Sequence, residues 1–364
     1  MKRRDFLNTV TVFGLGMTFA GFRSVNRSRA KPTLKNWAWI GKPGDLSPDY
    51  LDGLFYQFRE NGIAAILMGG DIEGYKKVAP FARKNDVELH AWTMGTRHAS
   101  GELQEKHPEW YMINRNGVSC VDDPPYVGYY RWLCPSKQEA RDYITENAVN
   151  IAKVEGLTSI HLDYIRYPDV ILPRALWEKY DIVQDKEYAQ WDYCYCDDCR
   201  RRFREQYGKD PLKLEDPSKD DDWDQYRYDQ ITAVVDQVYH AVRKHDKQTT
   251  AAVFPTPSLA KKICRQDWTN WSLDAVMPMI YHSFYNKDVS WIEKAAREGV
   301  NELPPDIPLY AGLFVSDLNP GQLVEALEHA RKGGAKGVSL FTGHTPTDEH
   351  WWKWNQVLKN YKVL

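Results

Sequence analysis

The sequence has almost no net charge and no long apolar run in its main body. Its 48 Lys and Arg residues nearly balance its 50 Asp and Glu residues, which leaves a formal net charge of −2. Nucleic acids and anionic membrane surfaces are bound through an excess of basic charge, so neither partner is expected here. Because no segment reaches the length needed to cross a bilayer, we also expect no transmembrane anchor.

A glycine-rich phosphate-binding loop is also missing after the first strand-like run, which argues against a dinucleotide-binding sheet. Aromatic residues, in contrast, are plentiful: 14 Trp, 22 Tyr and 12 Phe make up 13% of the chain. Flat aromatic faces can serve as platforms for the apolar faces of sugar rings. Composition by itself favours the simpler interpretation, which is a bulky core.

The N-terminus has the order of an export signal. Lys2 to Asn8 reads KRRDFLN and precedes an apolar run, residues 10–22, that is too short for a membrane span. Paired arginines before such a run resemble a twin-arginine signal, which a receptor reads as an address. We therefore expect a signal peptide over residues 1–30, cleaved near Ala30. The remaining residues 31–364 should form one exported domain, periplasmic or extracellular.

Short apolar segments alternate with amphipathic stretches along the rest of the chain. The predicted helices include 49–61, 137–154, 226–245 and 320–332, and the eight predicted strands are 34–40, 63–68, 87–94, 159–165, 249–254, 273–281, 308–315 and 337–342. Repeated strand-helix alternation indicates a parallel α/β fold. Eight nearly continuous apolar strands favour a (β/α)8 TIM barrel over an open sheet.

Two connections are unusually long, residues 95–133 after the third strand and 168–223 after the fourth. In a barrel, both lie above the C-terminal face, where barrel enzymes build their active sites. The second contains the motif YCYCDDC at 193–199 and the charged run Lys219 to Asp222. We expect the charged run to be a solvated loop.

Polar residues at C-terminal strand ends are the catalytic candidates in a barrel. Asp163, at the end of the fourth strand, gives the strongest signal, because the two-residue period points it to the same side as His161. A buried carboxylate needs a partner, and Arg166 is the expected ion pair. A lone strand histidine is more often a satisfied core residue, so we assign no chemistry to His161.

A carboxylate among aromatic and basic side chains at a barrel mouth suits hydrolysis of a glycosidic bond, which requires two carboxyl groups. Asp317 ranks first as the second group, followed by Asp71 and Glu73. The predicted substrate-binding residues, drawn from the same strand ends, are Trp39, Glu73, Arg97, His98, Arg166, Tyr281, His282 and His344. The expected partner is therefore a carbohydrate.

Four segments, about residues 36–345, resemble the family-10-like glycoside hydrolases, which are barrel proteins. They are RWLCPSKQEARDY (131–143), SIHLDYIRYP (159–168), LDAVMPMIY (273–281) and GVSLFT (337–342). The resemblance implies a barrel and a glycosidase activity. HLDYIRYP is its most specific element.

A second resemblance concerns the cysteines. HPEW (107–110), the segment around Cys134 and CYCDDCRRRFREQYG (194–208) are similar to the zinc-binding elements of family 42 β-galactosidases. It implies that zinc is held by Cys134, Cys194, Cys196 and Cys199. That family's Asn-Glu pair is replaced here by LDYIRYP, so galactosidase activity is not implied.

The chemistry of four thiolates agrees with a closed structural zinc site. Disulfides are the alternative, since exported proteins permit them, although neighbouring C-x-C thiols bridge poorly. A redox C-x-x-C would need a thioredoxin-like pattern, which is lacking. Cys120 and Cys264 are expected to take no part.

Three other functions stay open at this point. The missing obvious second carboxylate would suit a carbohydrate-binding barrel without activity. A lyase or dehydratase would use Tyr281, His98 or His282 as its base. A metalloenzyme acting through the cysteine zinc is least favoured, because four thiolates leave no position for water.

Overall fold

A computed structural model describes residues 33–341 and 345–363. Its central sheet has eight parallel strands in the order β6-β5-β4-β3-β2-β1-β8-β7. The strands are β1 (Asn36–Ile40), β2 (Ile63–Gly69), β3 (Glu88–Met94), β4 (Leu157–Asp163), β5 (Gln248–Val253), β6 (Ala275–Pro278), β7 (Ala311–Phe314) and β8 (Val338–Phe341). Two parallel bridges, Val276 to Leu309 and Met279 to Gly312, join the two ends of the sheet. The predicted (β/α)8 barrel is confirmed.

Helices surround the barrel and extend into its long loops. They are α1 (Pro48–Glu60), α2 (Ile72–Lys84), α3 (Gly101–Lys106), α4 (Gln138–Ala152), α5 (Asp197–Tyr207), α6 (Asp221–Arg243), α7 (Pro257–Cys264), α8 (Trp291–Glu302), α9 (Pro320–Lys332) and α10 (Asp348–Leu358). A short parallel pair, Thr33–Leu34 with Lys362–Val363, joins the two ends of the described chain. The predicted signal peptide, residues 1–30, lies outside the described residues. Within them, no helix has the length and apolar character needed to cross a membrane.

The charged run at 219–222 is not the solvated loop that the sequence predicted. Asp220 caps the N-terminus of α6, where its carboxylate accepts a hydrogen bond from the backbone N–H of Trp223 at 2.9 Å. Asp221 and Asp222 occupy the first turn. Acidic side chains are favourable there because the unpaired N–H groups give a helix N-terminus partial positive charge.

The barrel interior is filled by large side chains that point inward at every second position. Trp37 and Trp39, two residues apart on β1, are both 2% exposed. The indole N–H of Trp39 donates to Nε2 of His161 at 3.2 Å, and Nδ1 of His161 lies 2.8 Å from the hydroxyl of Thr250. Since an indole can only donate, His161 is neutral, with its proton on Nδ1. His161 is therefore a satisfied core residue, and burial lowers its pKa.

The two long loops pair with each other above the C-terminal face. Asn114 and Tyr193 form an antiparallel bridge, and the N–H of Tyr195 donates to the carbonyl of Ile113 at 2.8 Å. These contacts join the loop after β3 to the loop after β4. The loops therefore form one continuous wall over that side of the barrel mouth.

Candidate functional site

A cavity of about 350 Å³ opens among the C-terminal ends of the strands. Asp163, the last residue of β4, faces this cavity together with Asp169 and Arg166. The rest of the lining is mainly aromatic and comes from six other strands or their loops, including Trp39, Trp92, Phe254, Tyr281, Phe314 and Phe341. The site is thus a largely apolar pocket with one carboxyl group at the end of β4.

The carboxyl group of Asp163 is held by two N–H donors. The indole of Trp92 donates to Oδ2 at 2.9 Å, and the backbone N–H of Tyr164 donates to Oδ1 at 2.6 Å. Asp163 is 8% exposed. Burial raises its pKa, and the two hydrogen bonds oppose that rise. The carboxyl group is therefore biased toward its protonated form.

The turn after Asp163 is anchored by residues that follow β3. Tyr164 has a left-handed backbone, with φ of 50°. The N–H of Gly95 donates to the carbonyl of Asp163 at 2.6 Å, and the hydroxyl of Thr96 donates to the carbonyl of Tyr164 at 2.8 Å. A side chain at position 95 would place its Cβ 2.8 Å from the backbone of Ile165, so only glycine allows this close approach.

The predicted ion pair between Asp163 and Arg166 is wrong. Arg166 instead pairs with Asp169, with 2.9 Å between Nη1 and Oδ2, and its guanidinium also donates to the carbonyl of Tyr167. Both partners are almost fully buried. The strand ends at Asp163 and the chain turns there, so the guanidinium of Arg166, which lines the same cavity, meets Asp169 instead. Asp169 then becomes the nearer carboxylate.

The other two predicted catalytic residues, Asp71 and Asp317, do not line this cavity. Asp71 is exposed and caps α2, and its carboxylate is hydrogen-bonded to Lys42 and to the N–H of Gly74, both at 2.7 Å. The hydrogen bond from Lys42 and that from the backbone lower its pKa. Asp317 is exposed after β7 and accepts a hydrogen bond from the hydroxyl of Ser283.

The predicted substrate-binding residues divide into three groups. Trp39, Arg166 and Tyr281 line the cavity. Glu73, Arg97 and His98 line a separate groove of about 830 Å³, which also has Trp92 in its wall. Of the remaining two residues, His282 is buried after β6 and lines neither space, and His344 lies outside the described residues.

Residues that sequence reasoning had not chosen complete the site. Trp92 lies in the predicted strand 87–94, two residues after His90, and this spacing could have marked it as inward-facing. Asp169 follows Arg166 by three residues across a proline, a spacing that permits the observed pair. Phe314 and Phe341 are the last residues of β7 and β8. A search for polar residues at strand ends does not select them, because they are apolar.

The four cysteines predicted as metal ligands do come together. Their sulfur atoms all lie within 4.8 Å of one another, and all four residues are buried. Sγ of Cys134 is 3.4 Å from that of Cys199 and 3.7 Å from that of Cys196. Four sulfurs around a zinc ion at 2.3 Å would lie about 3.8 Å apart, so the donor set fits a tetrahedral metal site.

No disulfide occurs among the six cysteines, all of which fall in the described residues. Cys120 and Cys264 are buried away from the cluster, where Cys120 contacts the backbone of Trp132. Within the cluster, hydrogen bonds from the other thiols, that of Cys134 first, lower the pKa of Cys196. The arrangement could therefore hold a metal ion.

Three solved structures share this fold at low sequence identity. The glycoside hydrolase domain of PgaB (BpsB) from Bordetella bronchiseptica matches with a TM-score of 0.63 and 10% identity, over 92% of this chain and 99% of that one. The catalytic domain of β-amylase from Paenibacillus polymyxa gives 0.57 and 12%, over 88% and 95%. The spore cortex-lytic enzyme SleL from Bacillus cereus gives 0.52 and 9%, over 92% and 76%.

These likenesses show a barrel shared with glycoside hydrolases and do not transfer an activity. Comparison with curated protein sequences finds no match. The family model described as glycosyl hydrolase-like 10 matches residues 69–326, more than half of the sequence. The chain therefore belongs to the glycosyl hydrolase-like 10 family.

Proposed function

We propose that this protein is an exported glycoside hydrolase that cleaves oligosaccharides or polysaccharides, with Asp163 as its general acid. The observation that supports this proposal is the buried carboxyl group at the end of β4, which faces an aromatic cavity. Glycosidic oxygen leaves only when it is protonated, and a carboxyl group with a raised pKa holds the proton that this step needs. Asp163 supplies that proton to the departing oxygen.

The cavity wall suits a sugar ring. Tyr281, Phe314 and Phe341 pack against one another, with ring centroids 5.5 to 5.8 Å apart. Their faces offer apolar contact area for the C–H faces of a pyranose. The hydroxyl groups of the sugar need polar partners as well, and the guanidinium of Arg166 supplies donors at the same opening.

Asp169 is the carboxylate we propose to act with Asp163. It lines the same cavity and is ion-paired with Arg166. A carboxylate near the ring stabilises the positive charge that develops in an oxocarbenium-like transition state. Asp317 and Asp71 stay predictions for this second role, and the hydrogen bonds to Asp71 already occupy its two oxygens.

The lyase or dehydratase alternative has less support. Burial raises the pKa of Tyr281, so its phenolate is an unfavourable base. His98 lies in the groove, its Nε2 is 2.9 Å from the carbonyl of Gly95, and burial lowers its pKa to about 4. A non-catalytic carbohydrate-binding barrel remains the second candidate function, because one of the two cavity carboxylates is committed to an ion pair.

The four-cysteine cluster is proposed to hold one structural zinc ion. Cys134 closes the loop after β3, whereas Cys194, Cys196 and Cys199 belong to the loop after β4. Zinc bound by four thiolates has no open coordination position, so it would tie the two loops together and contribute to folding. The reaction itself is assigned to the carboxyl groups.

Export is proposed from the N-terminal sequence KRRDFLN and the apolar run that follows it. Replacing both Arg3 and Arg4 by lysine should leave the protein in the cytoplasm of its host, whereas the unchanged chain should be recovered outside the cytoplasm. Cell fractionation followed by immunoblotting measures the distribution. Equal export of both forms would contradict a twin-arginine route.

Asp163→Asn should lower kcat by about 10²–10⁴-fold on any glycan that the unchanged protein hydrolyses, because the variant has no proton to donate. Product release from a panel of oligosaccharides measures the loss. Asp86→Asn is the matched control, since it removes an exposed carboxylate, paired with Arg59, that lines neither the cavity nor the groove and should change kcat little. Wild-type turnover by Asp163→Asn would remove Asp163 from the mechanism.

Trp92→Phe should shift the alkaline limb of the pH profile of kcat/KM upward by about one unit. The indole N–H favours the ionised carboxylate of Asp163, so its loss raises the carboxyl pKa and keeps the acid protonated to higher pH. Trp39→Phe removes an indole from the same cavity without touching Asp163 and should leave the limb in place. A downward shift in Trp92→Phe would contradict the assignment.

The purified protein should contain about one zinc ion per chain, measured by elemental mass spectrometry. Cys199→Ser should lose the metal and lower the melting temperature, since structural zinc contributes folding free energy. Cys264→Ser should retain the metal, because that thiol lies outside the cluster. Detection of disulfides among the four cluster cysteines, with no bound metal, would overturn the proposal.

A further inference from the structure

A second recess, the Arg97 groove, adjoins the catalytic cavity. It has a volume of about 830 Å³ and is bordered by the ends of β2 and β3 and by α4. Trp92 lines both the groove and the cavity, so one indole separates the two spaces. A chain of sugars held in the cavity would have to pass this indole to reach the groove.

Arg97 is held in this groove by aromatic rings rather than by a carboxylate. Its guanidinium carbon lies 4.6 Å from the ring centre of Tyr164 and 5.4 Å from that of Tyr129. Its Nε–H is buried without a hydrogen-bond acceptor among the described residues. Arg166, in contrast, is paired with Asp169. An arginine fixed by stacking keeps its forked donors available for a ligand.

The acidic residues of the groove already have cationic partners. Asp71 is bonded to Lys42 at 2.7 Å, and Glu73 is bonded to Lys76 at 2.8 Å. His98 is neutral at ordinary pH, because burial lowers its pKa to about 4. Arg97 thus forms no ion pair among the described residues, although its charge is near enough to Asp163 to oppose the rise in that carboxyl's pKa.

We infer that the Arg97 groove binds an anionic substituent of the glycan, either a sugar carboxylate or a sulfate ester. The guanidinium fork matches the planar pair of oxygens that such groups present. Tyr164, which stacks on Arg97, donates its backbone N–H to Asp163. The anionic sugar would therefore occupy a position next to the bond that Asp163 protonates. This inference rests on the proposed function and adds the substrate class.

Affinity electrophoresis in native gels tests the inference with two matched pairs of polymers. Polygalacturonate is compared with fully methyl-esterified pectin, and dextran sulfate with dextran, using Asp163→Asn protein to prevent hydrolysis. We expect retardation by one of the two anionic polymers and much less by its neutral counterpart. Arg97→Gln should weaken that binding about tenfold, the usual effect of losing a charge-assisted hydrogen bond, and Arg97→Lys should retain part of it.

Arg83→Gln is the control for charge, because it removes an exposed arginine paired with Glu155 at a different surface recess and should bind like the parent. The polymer that retards the protein identifies the anionic group as carboxylate or sulfate. Binding to neither anionic polymer, or binding that Arg97→Gln leaves unchanged, overturns the inference. That result would leave the proposed function intact, because the proposed function is tested separately by the loss of glycan hydrolysis in Asp163→Asn.

Discussion

The structure is organised around the cost of placing the Asp163 carboxyl group in an apolar cavity. A buried carboxylate is unfavourable unless hydrogen bonds offset its lost hydration, and the protein provides two N–H donors, from the indole of Trp92 and the backbone of Tyr164. That compensation is incomplete, so the pKa stays raised. A cation held closer to this group would stabilise its charged form, lower its pKa and leave less of it protonated to act as a general acid.

Keeping Arg166 away from Asp163 depends on the turn that begins at Tyr164. Gly95 and Thr96 fix this turn through backbone and hydroxyl hydrogen bonds from the neighbouring strand end. The turn carries Arg166 to Asp169, where the two charges satisfy each other in a buried pair. Asp163, Arg166 and Asp169 therefore share one cavity but have different partners: Asp163 is held by N–H donors, and Asp169 is held by an ion pair. Such a difference is what lets two nearby carboxyl groups take separate roles in catalysis.

The cysteine cluster is linked to the same segment of chain. Tyr167 follows Arg166 directly, and burial together with the nearby thiols of Cys199 and Cys134 raises the pKa of its phenol. The loop after β3 and the loop after β4 thus meet at the paired backbone of Asn114 and Tyr193 and again at the four thiols. A metal bound there would rigidify the cavity wall while remaining apart from the reacting atoms.

The sequence by itself determined the barrel, its eight strands, the position of Asp163 and the set of four cysteines. Alternating apolar segments and short thiol spacings are local patterns, so they can be read along the chain. Only the tertiary structure decided the partner of Arg166, the capping role of Asp71 and the presence of Asp169 in the cavity. Each of these depends on where the chain turns after a strand and on which side chains from distant segments then lie close to it. The free energies that select among such contacts are summed over the whole fold, so a local sequence pattern does not reveal them.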